Sequence, residues 1–578
     1  MRSRQTILAS LDQPWDLLIV GGGITGAGIL REAARLGLKA LLVEQRDFAW
    51  GTSSRSSKLV HGGLRYLKQG KLGLTRASVH ERQQLLHEGP GLIDPLGFLL
   101  SIYKGDFPGR WTFALGLTVY DLLALRWEHS YYSPEDFELL APHVYRKNLQ
   151  GGFRYGDAQT DDARLTLRVL QEACAESAGE ACAVNYLQAE SLLYSEGQVC
   201  GAVLHDLETG QRMDVHARAV INATGAWADR LRGQVGGEKR LRPLRGSHLF
   251  FPAWRLPLAQ AVSFLHPVDR RPVFIYPWEG VILVGTTDVD HPAELDDEPA
   301  ISPEEVAYLM AAVEGEFPSL HLGLEDVLST LAGVRPVIAS GQEDPSKESR
   351  DHVVWNESGL LTVTGGKLTT FRLIAQDAIK AIRHLLPDLP ALDTSLPVLD
   401  PVDIRLPDVG MLDEATRRRL LGRYGAHAPA LVKAAQPGEL ELIPGTHTLW
   451  AELRWAARGE QVCHLDDLLL RRTRLGLVLP EGGKAILPAL QAICTQELGW
   501  DEARWRMEQA RYLELWQRCY SLPPAHLIPD WKAQITEARR QRAMRPSIKK
   551  RAIRTTALGV LLAGLGLLGY WLYQRRRK

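Results

Sequence analysis

The chain has 578 residues, 45% of them hydrophobic and 24% charged, a globular composition too long for one core and divisible into two or three domains. Six cysteines (Cys174, Cys182, Cys200, Cys463, Cys494, Cys519) form no C-x-x-C pair and no dense framework, which excludes a disulfide scaffold, an iron–sulfur cluster and structural zinc; no metal site is expected. The 68 basic and 68 acidic residues cancel, but twelve of the basic ones lie from Arg539 onward with no acid among them, so positions 1–538 hold 56 basic against 68 acidic residues and read as an acidic body on a membrane-facing tail, not as a nucleic-acid binder.

The N-terminal MRSRQTILASLDQPWD lacks a hydrophobic core, so no export signal is read there. Asp16–Val20 is nearly all apolar, the pattern of a buried parallel strand. It runs into GGGITGAG, where Gly21, Gly23 and Gly26 make G-x-G-x-x-G. A helical stretch over Ile29–Leu36 stops at Gly37, and a second strand, Ala40–Val43, ends at Glu44, eighteen residues past Gly26. In that order the first glycine turns the chain, the second admits a pyrophosphate to the backbone, and the third seats the helix on the strand. The helix N-terminus offers N–H groups to the phosphates and the acid takes a ribose hydroxyl. Glu44 would repel a 2′-phosphate, which leaves NAD or FAD. The following TSSRSSKLVHGGLRYL (Thr52–Leu67), dense in hydroxyls, glycines and cations (Arg55, Lys58, Arg65), favours FAD, because it reads as extended backbone donating hydrogen bonds to a large polar ligand.

Further along, Gly91–Gln150 is aromatic- and proline-rich and is expected to form helices and loops that cap a substrate cavity. Asp161–Glu176 reads as a helix begun by Asp161 or Asp162, and Val220–Gly225 as a buried strand ending in glycine. Short strands fill Leu249–Val284, a helix follows over Pro303–Gly315, and a strand over Leu360–Thr364 passes through Gly365 and Gly366 into a helix over Thr369–Leu385. Leu386–Asp408, with five prolines, is the clearest linker, and Asp413–Trp531 beyond it has helical spacing. The apolar segment Thr555–Tyr573 is about nineteen residues long, hence about 28 Å as a helix, one hydrocarbon core. Tyr570, Trp571 and Tyr573 suit an interfacial belt. Gly559, Ala563 and Gly566 form a small-residue face through which two copies could pair as a homodimer.

GGGITGAG, TSSRSSKLVHGGLRYL, DDARLTL (Asp161–Leu167), NATGAW (Asn222–Trp227), GTTD (Gly285–Asp288), AGVRPV (Ala332–Val337) and GGKLTTF (Gly365–Phe371) occur in one order from about residue 15 to about 535. Together they resemble the FAD-dependent, membrane-associated glycerol-3-phosphate dehydrogenases of the D-amino-acid-oxidase-like group. The resemblance implies an α/β fold: a Rossmann-like FAD-binding domain with an interleaved substrate domain and a helical C-terminal domain. The C-terminal transmembrane helix expected over Thr555–Tyr573 is a departure from that family, whose bacterial members usually attach without a clear spanning helix. The corresponding expectation is an oxidoreductase domain over 1–395, with FAD-binding segments at about 15–85, 155–240 and 330–390 and substrate segments at about 86–154 and 241–329. A helical domain would follow over 396–535, then a basic juxtamembrane segment over 536–554 and the membrane helix over 555–573. The resemblance also implies oxidation of sn-glycerol 3-phosphate to dihydroxyacetone phosphate, with electrons passed to membrane quinone. The chain shows no covalent attachment signature, so non-covalent FAD is expected. Eight cations before Thr555–Tyr573 against four after it, together with the cysteine usage, place the catalytic body on the cytoplasmic face of the inner membrane.

A phosphate ester calls for fixed cations, best supplied by arginine with lysine as a point charge. The resemblance puts Arg65, Arg335, Arg350 and Lys367 near the substrate, with Tyr66 adding a hydroxyl. Removal of the alcohol proton calls for a base. His248 in RGSHLFF is the first candidate and His61 in LVHGG the second, while a cationic pocket alone could lower the alcohol's pKa and let water take the proton. The cofactor contacts expected are Gly21, Gly23, Gly26, Glu44, Thr52, Ser53, Ser57, Gly62, Gly225, Gly366, Leu368 and Thr369.

Overall fold

The computed structural model describes residues 2–64, 72–106, 108–176, 180–341, 348, 351–407 and 412–544. Near-continuous apolar runs form its first sheet. In spatial order its strands are His352–Glu357, Leu360–Gly365, Arg212–Asn222, Trp15–Val20, Ala40–Val43 and Ala181–Val184. All neighbours pair in parallel except the His352–Glu357 edge. The hairpin Leu187–Ser195/Gln198–Asp206 continues from the first half of Arg212–Asn222. Helices Ile24–Arg35, Asp162–Glu176 and Phe371–Ile382 pack on one face through Ile29, Ala33, Leu165, Val169, Ile374 and Ala378. The first helix starts at Ile24, inside the glycine motif, five residues before the apolar pattern announces it.

The second sheet is mixed: Val289–Asp290, Leu241–Pro252, Val281–Gly285, Pro272–Trp278, Ala261–Leu265, Ile93–Tyr103, Leu149–Thr160 and Leu59–Val60. Ser329–Ile338 pairs with Leu241–Pro252 along its other edge. Helix Pro303–Glu316, opened by the Ser302/Glu305 capping box, covers one face. The helical C-terminal domain closes the other. An eleven-residue strand, Ile93–Tyr103, runs through the stretch expected to hold only helices and loops. Pro95 obscured it, yet the parallel partner Ala261–Leu265 reaches only Phe98–Leu100, so the proline removes no bond on that side. The proline-rich linker packs instead of hanging free. Val398 and Leu399 are buried, the Glu88 carboxylate accepts the Val398 N–H at 2.8 Å, and Arg31 pairs with Asp400.

The C-terminal helices meet the nucleotide-binding layer through buried ion pairs. Arg472 grips Asp47 with two bonds of 2.6 and 2.7 Å, and Arg164 grips Glu460 with two of 2.7 Å. Burial alone would raise the Asp47 pKa, but Arg472 and Arg471 outweigh it and hold the carboxyl at about 2. Lys58 meets Asp162 at 2.9 Å, Arg423 meets Asp161 at 2.8 Å, and Arg55 meets Glu298. Two cations of the Thr52–Leu67 stretch are therefore spent on buried carboxylates within the protein.

Among the described residues no helix is long and apolar enough to cross a membrane. The segment Thr555–Tyr573 lies outside the described residues, as do Arg65, Tyr66 and Arg350.

His464 ties the two regions a second way, its ring nitrogens 2.9 Å from Glu508 and 3.1 Å from Glu208. Burial alone would lower its pKa, but the two carboxylates raise it to about 9. A raised histidine stabilises the fold fully below the unfolded value of about 6.5 and loses that contribution as pH rises through the folded value, here roughly 2–3 kcal/mol. Melting temperatures between pH 6.5 and 9.5 are expected to fall more steeply for the wild type than for His464→Gln. Parallel curves for the two proteins would contradict this role.

Candidate functional site: a dinucleotide cradle beside a cationic sheet face

The first strand delivers Val20 to Gly21, where the chain turns under the helix that begins at Ile24. A Cβ on Gly26 would stand 1.9 Å from the Gly21 carbonyl oxygen, so only glycine lets helix and turn close together. Ser53 Oγ accepts the Ile24 N–H at 2.9 Å. At the end of the second strand the Glu44 carboxylate accepts the Gly22 N–H at 2.7 Å and the Arg46 N–H at 2.9 Å. Burial raises its pKa against the pull of these two N–H groups.

Gly21, Gly23, Glu44, Thr52, Ser53, Gly225, Gly366, Lys367 and Leu368 line one cavity. Three stretches far apart in sequence thus converge where parallel strands end, the usual ligand position in such sheets. Gly26 lies beneath it, as its helix-seating part requires. Ser57, Gly62 and Thr369 are absent from the lining among the described residues and have protein partners instead. Ser57 Oγ meets His248 Nε2 at 3.0 Å, the Gly62 N–H goes to Asp157 at 3.0 Å, and Thr369 Oγ1 bonds the His61 backbone.

Two tryptophans went unpredicted as cavity walls. Trp50 and Trp227 face each other at 5.6 Å, and their indole N–H groups donate to Glu298 and Asp296 at 2.8 and 2.9 Å. With 177 positions between them, no spacing could announce the pair. Arg230 and Gln188 also line the wall.

His248 and Arg335 share one face of the antiparallel pair Leu241–Pro252/Ser329–Ile338. Arg335 donates to Asp288 Oδ1 at 2.8 Å and to Thr286 Oγ1 at 3.1 Å, so the GTTD segment orients its guanidinium. His248 is fully buried, and burial, followed by the charges of Arg335 and Lys58, holds its pKa well below the usual value. A neutral imidazole is the form able to accept a proton. Lys367 Nζ reaches Ser78 Oγ at 3.1 Å from the cavity wall. The His61 backbone is held by Thr369 at both its N–H (3.1 Å) and its carbonyl (3.2 Å).

The cradle suits an adenine dinucleotide: a glycine turn leading into a helix N-terminus for a pyrophosphate, an acid for a ribose, and a long cavity continuing past Gly225 to the Gly365–Gly366 turn.

Known proteins agree with this geometry. The family described as FAD dependent oxidoreductase matches residues 16–372, and the family described as the C-terminal domain of alpha-glycerophosphate oxidase matches residues 365–505. The aerobic glycerol-3-phosphate dehydrogenase of Staphylococcus aureus is 37% identical over 485 residues, 79% of this chain and 86% of that protein. The crystal structure of the glycerol-3-phosphate dehydrogenase from Bacillus halodurans complexed with FAD superposes with a TM-score of 0.70 at 29% identity, covering 89% of this chain and 97% of that one. The L-alpha-glycerophosphate oxidase from Mycoplasma pneumoniae, at 18% identity and a TM-score of 0.53 over 68% of this chain and 100% of that one, shares the fold. The cofactor of the cradle is FAD, and the chain belongs to the FAD-dependent oxidoreductases, in the family of the aerobic glycerol-3-phosphate dehydrogenases.

Proposed function

We propose that this enzyme oxidises sn-glycerol 3-phosphate to dihydroxyacetone phosphate and passes the electrons to membrane quinone. The observation that carries this reading is a cation, Lys367, on the wall of the FAD cavity in a chain whose 37%-identical relatives bear the dehydrogenase name. Bound FAD, held without a covalent link, supplies the hydride acceptor. Lys367 and Arg335 hold the phosphate ester as point charge and fork. Arg65, Arg350 and Tyr66 join them in this reading on the strength of their sequence motifs alone. His248 takes the hydroxyl proton as a neutral imidazole oriented by Ser57, with His61 the second candidate. The backbone start of helix Phe371–Ile382, preceded by the turn Leu368–Thr370, directs its N–H groups and partial positive charge toward the Gly366 end of the cavity.

One observation favours a second acceptor: the C-terminal match is to a domain named for an oxidase. Oxygen as acceptor would release stoichiometric hydrogen peroxide without added quinone; turnover that depends on quinone and yields no peroxide supports the dehydrogenase. Lys367→Ala and Arg335→Ala each remove a charge-assisted contact of about 1.5–3 kcal/mol, and kcat/KM should fall roughly ten- to a hundredfold at normal FAD content. Unchanged kinetics in both variants, or equal rates with glycerol and its phosphate ester, would rule out the assigned roles.

The tail belongs to the same proposal. Eight cations precede Thr555–Tyr573 and four follow it, a bias that leaves the catalytic body in the cytoplasm with the segment spanning the inner membrane. The anchor keeps the flavin domain near quinone. Truncation after Ser547 should leave flavin reduction nearly intact while carbonate releases the shortened protein from membranes and not the full chain. Equal release of both proteins would sink the spanning role.

A further inference from the structure

Helix Leu72–Glu88 carries two polar residues one turn apart, one bonded to Lys367 and the other to Asp157. Ser78 Oγ meets the Lys367 ammonium at 3.1 Å. Arg82, four residues on and so on the same helical face, donates to Asp157 Oδ1 at 2.6 Å and to the Gly156 carbonyl at 2.7 Å. The same Asp157 oxygen accepts the Tyr120 hydroxyl at 3.0 Å and the Gly62 N–H at 3.0 Å. Arg82, Tyr120 and Asp157 are all buried. A Cβ on Gly62 would stand 2.2 Å from the Tyr120 oxygen and 2.5 Å from Val79, so the turn after His61 is pressed against this group with no room to spare. From the other side, Thr369 holds both backbone groups of His61, and Thr369 lies two residues beyond Lys367. The turn and the lysine are thus tied to each other twice: directly through Thr369, and through the helix by way of Ser78, Arg82 and Asp157.

Asp157 has no part in the proton or hydride steps. A buried carboxylate with three donors on one oxygen is nonetheless a strong and directional anchor. We propose that Asp157, clamped by Arg82 and Tyr120, is a positioning residue that sets the distance between the His61–Gly62 turn and Lys367. That distance fixes the fit of the phosphate ester, since a shift of about 1 Å in a positioning group costs on the order of a hundredfold in rate. The kinetic part rests on the proposed substrate.

Asp157→Ala removes the acceptor but leaves the Arg82 charge buried and unpaired, so stability and positioning fall together. The double variant Arg82→Met/Asp157→Leu removes both charges, an exchange buried ion pairs often tolerate. In the FAD-loaded full chain, the double variant is expected to keep wild-type flavin content and to regain only part of the melting temperature lost in Asp157→Ala, because the Tyr120 hydroxyl and the Gly62 N–H still lose their acceptor. Its KM for sn-glycerol 3-phosphate should still remain about tenfold or more above wild type, with kcat much less affected. If KM returns to the wild-type value in the double variant, Asp157 is only a structural ion-pair partner and the proposal is overturned. A crystal structure of the FAD-loaded double variant gives a readout independent of substrate. The His61–Gly62 turn should move relative to Lys367 by about 0.5 Å or more, the tolerance of a working site; an unmoved turn overturns the proposal as well. If glycerol 3-phosphate fails to reduce even the wild-type flavin, the proposed function falls, while the position of the turn still decides the part played by Asp157.

Discussion

The carboxylate of Asp47 holds the molecule together at its most consequential joint. It sits three residues beyond Glu44, on the turn that leaves the second parallel strand, and is buried among Arg471, Arg472 and Asn185. Arg471 and Arg472 lie in the π-helical turn Asp467–Arg472 of the C-terminal domain. The turn that follows Glu44 on the cavity wall is therefore fixed by residues more than four hundred positions away. Such a pair adds little net stability over an apolar substitute, but losing one partner strands the other charge at a cost of about 3–5 kcal/mol. Its main effect is registry: only one seating of the C-terminal helices satisfies Asp47, Glu460 and Asp161 together.

The same economy of charge governs the site. Arg55 and Lys58 lie within the stretch that lines the cavity and carry full charges, yet Glu298 and Asp162 claim them. Burial, with Arg474 nearby, lowers the Lys58 pKa to about 8, and the Asp162 carboxylate opposes that shift. Arg335 is held on the sheet face by Asp288 and Thr286, and Lys367 lies on the cavity wall with Ser78 Oγ at 3.1 Å. The buried His248 stays neutral because burial and the charges of Arg335 and Lys58 disfavour a second proton. A cation and a buried, neutral imidazole thus lie on one face of the same strand pair.

The sequence made the cradle readable because Gly21, Gly23, Gly26 and Glu44 act within one strand–helix–strand unit, where spacing along the chain is spacing in space. It also made readable that Lys367 belongs near the cofactor, since the glycines beside it permit close approach. It did not reveal which groups face the ligand. Ser57, Gly62 and Thr369 sit in dense motifs, but their partners His248, Asp157 and His61 lie 191, 95 and 308 positions away. The strand Ile93–Tyr103 was hidden by Pro95 and Gly97, because a local pattern cannot show that the neighbouring strand stops short of the proline. Trp50 and Trp227 were likewise invisible as a pair.

Family membership, cradle and electrostatics meet in one claim: the alcohol of a three-carbon phosphate ester is oxidised at the FAD of this chain. Anaerobic rapid mixing of the FAD-loaded protein with sn-glycerol 3-phosphate, following the visible flavin absorbance, tests it most directly. The account predicts rapid and nearly complete bleaching with sn-glycerol 3-phosphate, and none on the same timescale with glycerol or with sn-glycerol 1-phosphate. Flavin that stays oxidised with sn-glycerol 3-phosphate, or bleaches equally with all three compounds, would contradict it.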